Sequence, residues 1–264
     1  ITMVRTEFVT VFMARDISKE EAKTVLDKTL GSWKPRPLNS PKPEQPSVAP
    51  LKELKVVLVD RPDAVQTVIQ FVMPGAKYTD QYRVQYRLLN TLFGGSFTSR
   101  LNMNLREEHG YTYGARSGFV MRPKLGYVTA SSSVRADVTG ASLKEFLSEF
   151  KRIRGGDISE DEAVKARETL RTDVIQSFAG LNGVLQEAIE RTAAEMPFES
   201  LARDMAAMQS ATTAELNKIV GPALPLENGV LVLVGDKKTI LEQIKDLGLA
   251  APIEVTVRGD KVGS

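Results

Sequence analysis

The 264-residue chain has 35 Lys+Arg against 33 Asp+Glu, a net charge of +2, with 42 % hydrophobic and 26 % charged residues. That is ordinary globular composition, without the basic surplus of a nucleic-acid binder. There is no cysteine and one histidine, His109, which excludes disulfide scaffolds, thiolate metal sites, cysteine nucleophiles and any centre needing two imidazoles from this chain. No run of ~18 apolar residues is present, so no membrane span is predicted.

The chain starts at Ile1 and reads as a piece of something longer. No charged-then-apolar leader opens it, and the absence of cysteine suits cytosol or periplasm alike. Residues Phe8–Met13 are strand-like by β-branched and aromatic content. Ser18 and Glu21 form a capping box before a helix with Ala22, Val25, Leu26 and Leu30 at helical spacing, stopped by Gly31. Between Pro35 and Pro50 lie six of the thirteen prolines, a density that predicts a linker. Two strands follow, 54–59 and 65–71, with Asp63-Ala64 as the turn between them. Helical spacing covers 80–93 and, after Gly94-Gly95, 98–108. Strands are predicted at 111–121 and 127–134, then helices at 140–153, 159–178, 183–194, 197–208 and 212–220. The mixed charges of 144–154 and 160–171 suit solvated helix faces. Met196, Met205 and Met208 suit helix cores. Near the end, Val230–Asp236 is a strand running into a turn, and Ile240–Leu247 a helix stopped by Gly248. This strand–turn–helix repeats the unit at the start. Residues 1–34 are therefore expected to be the tail of a preceding domain, 35–50 a linker, 51–256 a second domain and 257–264 a tail. Hairpins followed by helices predict an α+β two-layer sandwich, a mostly antiparallel sheet with helices on one face.

The most specific stretch is Leu92-Phe93-Gly94-Gly95-Ser96-Phe97-Thr98-Ser99-Arg100-Leu101, continuing to Leu105-Arg106-Glu107-Glu108-His109-Gly110-Tyr111-Thr112-Tyr113. Gly94-Gly95 allows a break between two helical segments, by φ > 0 or by close backbone approach. Arg106 then falls in the last turn of a helix and Tyr113 just inside a strand, where alternation places it on the face of Tyr111. A guanidinium and a phenol can converge there on a carbonyl or carboxylate. The plainer alternative for Arg106 is a helix-end cation paired with Glu107. Tyr113 also suits a half-buried strand aromatic, and Tyr111 packing. Arg100 suits a brace on backbone carbonyls of the turn, and His109 a solvated helix end. Ser96, Ser99 and His109 lack a nucleophile elbow, and no Gly-Lys-Ser/Thr follows the glycines as a phosphate loop requires.

Residues 90–119 resemble the pitrilysin/insulinase superfamily of zinc peptidases, and in particular its second, zinc-free domain. The resemblance extends over 51–256, and 1–34 resembles the end of that family's first domain. It implies a metallopeptidase-like (LuxS/peptidase-like) α+β fold. The family's His-x-x-Glu-His zinc motif is absent here, so the resemblance implies no cofactor in this chain, zinc in a partner domain or subunit, and no activity of the chain on its own. By similarity Arg106 would hold a main-chain carbonyl or terminus of an extended peptide, which adds as a strand to a sheet edge. Tyr113 would donate to the oxyanion. The rival implication is a silent scaffold or peptide-binding subunit, like the core subunits of respiratory complexes. Half-size bacterial relatives favour the periplasm.

Overall fold

The structure, a computed structural model, describes residues 9–34 and 51–262. It divides into two compact units, Ile1–Ala49 with Asp173–Phe198, and Pro50–Thr172 with Glu199–Ser264. The smaller unit holds helix α1 (Lys19–Leu30), which has no buried residue. Its predicted capping box closes: the Ser18 N–H donates to Glu21 Oε2 at 2.9 Å, and the Glu21 N–H to Ser18 Oγ at 3.2 Å. Residues 9–13, predicted as a strand, form none. Strand content alone does not hold a strand; its N–H and C=O groups need a paired neighbour. Phe8 and the proline-rich 35–50 lie outside the described residues.

In the larger unit β1 (Lys55–Asp60) and β2 (Gln66–Pro74) precede α2 (Arg83–Asn90) and the short α3 (Arg100–Asn102). Strands β3 (Thr112–Met121) and β4 (Gly126–Arg135) follow, then α4 (Thr139–Arg154) and α5 (Glu160–Ser177), which runs on into the smaller unit. There lies α6 (Leu181–Ala193). Back in the larger unit come α7 (Ser200–Ser210), α8 (Thr213–Ala223), β5 (Val230–Gly235), α9 (Lys237–Ile244) and the two-residue β6 (Ile253–Glu254). The six strands form one sheet in the order β3-β4-β2-β5-β1-β6. Burial alternates along them: Ile69, Phe71 and Met73 on β2, Val128 and Ala130 on β4, and Leu231 and Leu233 on β5 are all buried. Phe71 on this face meets Phe146 and Phe150 of α4, with ring centroids 5.5 and 5.2 Å apart. The α+β layering expected from the sequence is thus present.

The neighbours in the sheet differ from expectation at one point. The predicted β1–β2 hairpin does not exist, because β5 lies between the two strands, parallel to β1 and antiparallel to β2. Residues 61–65 instead cross the end of β5. The Arg61 N–H donates to the Gly235 carbonyl at 2.8 Å, and the Asp63 N–H, at a residue with φ of 62°, donates to Asp236 Oδ2 at 3.2 Å. A short link between two strands predicts a hairpin only if no third strand fits better. The unbroken apolar run of β5 suits a central, doubly flanked position. The β3–β4 hairpin forms as predicted, closed by the Arg122 N–H on the Leu125 carbonyl at 2.8 Å.

Candidate functional site

Helix α2 does not stop at Asn90 but widens into a π-helical turn, Thr91–Gly95. Gly94 and Gly95 are there for space rather than for positive φ. A Cβ on Gly94 would lie 2.4 Å from the backbone nitrogen of Ser117, and one on Gly95 2.8 Å from the Asn90 carbonyl oxygen. The loop 96–99 leads into α3, which widens into a second π-helical turn, Met103–Glu108. Gly110 ends it with φ +63°, a conformation that favours glycine. Arg106 thus does occupy the last turn of a helical segment, and Tyr113 is the second residue of β3.

Two side-chain amides, Asn102 and Asn90, lock these pieces together. Asn102, 5 % exposed, donates from Nδ2 to the Phe97 carbonyl at 2.7 Å and accepts the Ala115 N–H at 3.3 Å. Ser117 Oγ donates to Asn90 Oδ1 at 2.9 Å. Strand β3 bulges beside this latch. Its register to β4 passes from Thr112↔Val134 to Ala115↔Ser132, one residue more on β3 than on β4. Thr112 Oγ1 donates to the Ser133 carbonyl at 2.7 Å and accepts the Gly114 N–H at 3.1 Å, fixing both flanks of Tyr113. Tyr113 itself is 92 % exposed.

Arg106 and Tyr113 line one open pocket of about 420 Å³, together with Phe97, Asn90, Asn102 and Arg116. The Arg106 guanidinium stands 4.7 Å from the centroid of the Phe97 ring, and its Nε lies 3.3 Å from Glu107 Oε1. The plain pairing with Glu107 therefore exists alongside the shared pocket, as an exposed ion pair of little strength. Strand β3 is an outer strand, yet its edge is partly taken here. The Ala115 N–H is spent on Asn102, and Gly94 crowds the Ser117 nitrogen. A peptide over this stretch meets side chains rather than a free strand edge.

Other residues of the motif lie elsewhere. Arg100 is no brace on the glycine turn: its side chain, 8 % exposed, grips the start of α5. Nε and Nη2 bond the two oxygens of Glu162 at 2.6 and 2.8 Å, and Nη1 bonds Asp157 Oδ1 at 2.5 Å. Its Nη2 also bonds a backbone carbonyl, that of Asp157 at 3.1 Å, which lies outside the glycine turn; the carboxylates take the rest of the planar fork. Burial pushes the Glu162 carboxyl up, but the bonds from Arg100 and from Ser159 outweigh it and leave the group below its usual range. Tyr111 precedes β3 and is absent from the pocket lining. It stacks on His109, ring centroids 4.9 Å apart, so alternation did not carry it beside Tyr113. His109 is half-buried, its Nε2 3.8 Å from Glu145 Oε2. On α4, Glu149 is buried rather than solvated, accepting from Asn104 at 3.1 Å and from Arg152 at 3.0 Å. The sequence reading missed Asn90, Asn102 and Thr112; an Asn beside the apolar Leu101 in a helical run, where Asn is unfavourable, is the signal that marks one of them. Among the described residues no group of three or more His, Asp or Glu side chains is placed to hold a metal.

The site thus rests on a mixed sheet packed against helices, with Arg106 on the second helical turn and Tyr113 on the strand that follows it. Residues 2–170 match the peptidase M16 inactive domain, and the chain belongs to that family. It is similar to the probable inactive metalloprotease YmfF of Bacillus subtilis (strain 168), 27 % identical over 124 residues, 46 % of this chain and 29 % of that protein. A crystal structure of a peptidase M16 inactive domain from Pseudomonas fluorescens superposes with a TM-score of 0.70 at 22 % identity, over 84 % of this chain and 52 % of that one. A chain of complex III from Candida albicans shares the fold at a TM-score of 0.62 and 14 % identity, over 88 % of this chain and 54 % of that one. This chain therefore spans about half the length of those solved chains, and less of the curated relative.

Proposed function

We propose that this inactive M16 domain is the metal-free jaw of a two-part peptidase. Arg106 holds a main-chain carbonyl or terminus of an extended peptide, and Tyr113 donates to the carbonyl oxygen as it gains negative charge. Zinc and its water belong to another domain or subunit, because a single imidazole cannot supply a two-histidine centre. In the same reading 51–256 forms the body of the domain and 1–34 the end of the zinc-bearing domain before it. The observation that carries the proposal is that Arg106 and Tyr113, seven residues apart in sequence, line the same open pocket. The Tyr113 side chain is held at a bulge with its phenol in solvent, whereas a tyrosine kept for packing would be covered.

The test is peptide cleavage by this chain assembled with a zinc-bearing M16 domain. Tyr113→Phe is expected to lower kcat by roughly 10²–10³, the loss typical of one oxyanion donor. Unfolding should be unchanged, since the phenol touches solvent. Cleavage that survives Tyr113→Phe at full rate, or an assembly that never cleaves, leaves the scaffold reading, whose fold complex III shares.

A further inference from the structure

The same pocket carries a second arginine that the family motif does not include. Arg116 sits on β3, opposite Ser131 of β4 and past the bulge, and it lines the pocket with Arg106 and Tyr113. It is exposed and has no carboxylate partner among the described residues. Arg106 has Nε 3.3 Å from Glu107 Oε1 and its guanidinium over the Phe97 ring, in an exposed pairing. No Asp or Glu lines the pocket; its remaining polar groups are neutral, from Asn90, Ser96, Asn102 and Ser117. Elsewhere along this motif an arginine is neutralised, as Arg100 is by Asp157 and Glu162. Of the two that line the pocket, Arg106 has only the exposed pairing with Glu107, and Arg116 has no ion pair among the described residues.

We propose that this pocket selects peptides by a carboxylate, with Arg116 as the specificity-determining residue. A concave surface lined by one sign of charge concentrates the opposite sign, and a guanidinium fork matches a carboxylate with two parallel bonds. The recognised group is a side-chain carboxylate of Asp or Glu, or the free C-terminus of the peptide; the chemistry is the same. This inference rests on the peptide-jaw reading and adds to it which peptides the jaw prefers.

The full chain is titrated by calorimetry with unlabelled peptides of one length and otherwise neutral sequence. One has an internal Glu and an amidated end, one Gln with an amidated end, one Gln with a free carboxylate, and one Lys with an amidated end. Either carboxylate peptide is expected to bind roughly tenfold more tightly than the amidated Gln peptide, the factor that corresponds to about 1.4 kcal/mol. The Lys peptide should bind most weakly, and the preference should shrink as salt is raised. Which of the two carboxylate peptides gains identifies the source of the charge. Arg116→Gln should abolish the preference, and Arg116→Lys should keep part of it. Equal binding of all four peptides, or a preference that Arg116→Gln leaves intact, overturns the carboxylate selection and leaves the jaw standing. Failure of every peptide to bind removes the jaw reading and this inference with it.

Discussion

Arg100 and Arg106 belong to one helical run and one motif, yet the structure puts them to opposite uses. The Arg100 end is closed: its fork is buried against Asp157 and Glu162, and it ties α3 to the start of α5. The Arg106 end is open: its guanidinium rests on Phe97 in a solvent-facing pocket beside Tyr113. A buried, fully paired cation is a structural tie. An exposed cation with free donors is available to a ligand. The motif thus joins a sealed half to an open half, and substitutions at the two ends should fail in different ways.

The widest separation is expected in activity. Tyr113→Phe loses its two to three decades of kcat with the melting temperature unmoved, whereas a purely structural motif would lose both together. Next, Arg100→Ala strips two carboxylates of their partner and should cost about 2–3 kcal/mol in urea unfolding. Any loss of cleavage should then track the unfolded fraction; cleavage lost by folded Arg100→Ala protein would erase the distinction between the ends. Gly94→Ala drives a methyl into the Ser117 backbone and should destabilise by about 1–3 kcal/mol. Because that contact lies between the glycine turn and β3, this variant should impair folding and cleavage together.

Acid sharpens the comparison further. The Glu162 carboxyl sits below its usual 4.5 in the folded protein. Its contribution is therefore complete above that value and is lost as pH falls through the lower, folded one. Glu162→Gln should lower stability at neutral pH and flatten the acid limb of a stability–pH curve; an unchanged limb would show that Arg100 does not hold this carboxylate. The smallest effect belongs to Phe97→Ala. It removes an exposed cation–π contact of ~0.5–1 kcal/mol, so KM should rise a few-fold with little change in kcat or stability.

How much of this was legible beforehand follows the range of each interaction. The capping box at Ser18 closes within three residues and forms where the letters place it, and Ser159 with Glu162 closes another over the same short span. The β3–β4 hairpin and the helices of the larger unit are likewise local patterns. Asn102 reaches thirteen residues to Ala115, and Arg100 more than fifty to Asp157 and Glu162. Nothing in the spacing of letters reports such partners. Glu149 belongs to a run whose charge pattern suits a solvated face, yet it is buried, with Asn104 of another segment bonded to it.

The amino-acid sequence alone determined that one imidazole and no thiol cannot build a two-histidine zinc centre, and that a glycine-broken helical run delivers an arginine and then a tyrosine. Those are matters of composition and short-range geometry. Only the tertiary structure decided that β5 enters between β1 and β2, that the bulge at Tyr113 turns a strand residue out to solvent, and that of three arginines in and after the motif one is sealed and two share a pocket. Each of those outcomes depends on which distant backbone or carboxylate comes to lie beside a given residue, and packing settles that after the local elements have formed.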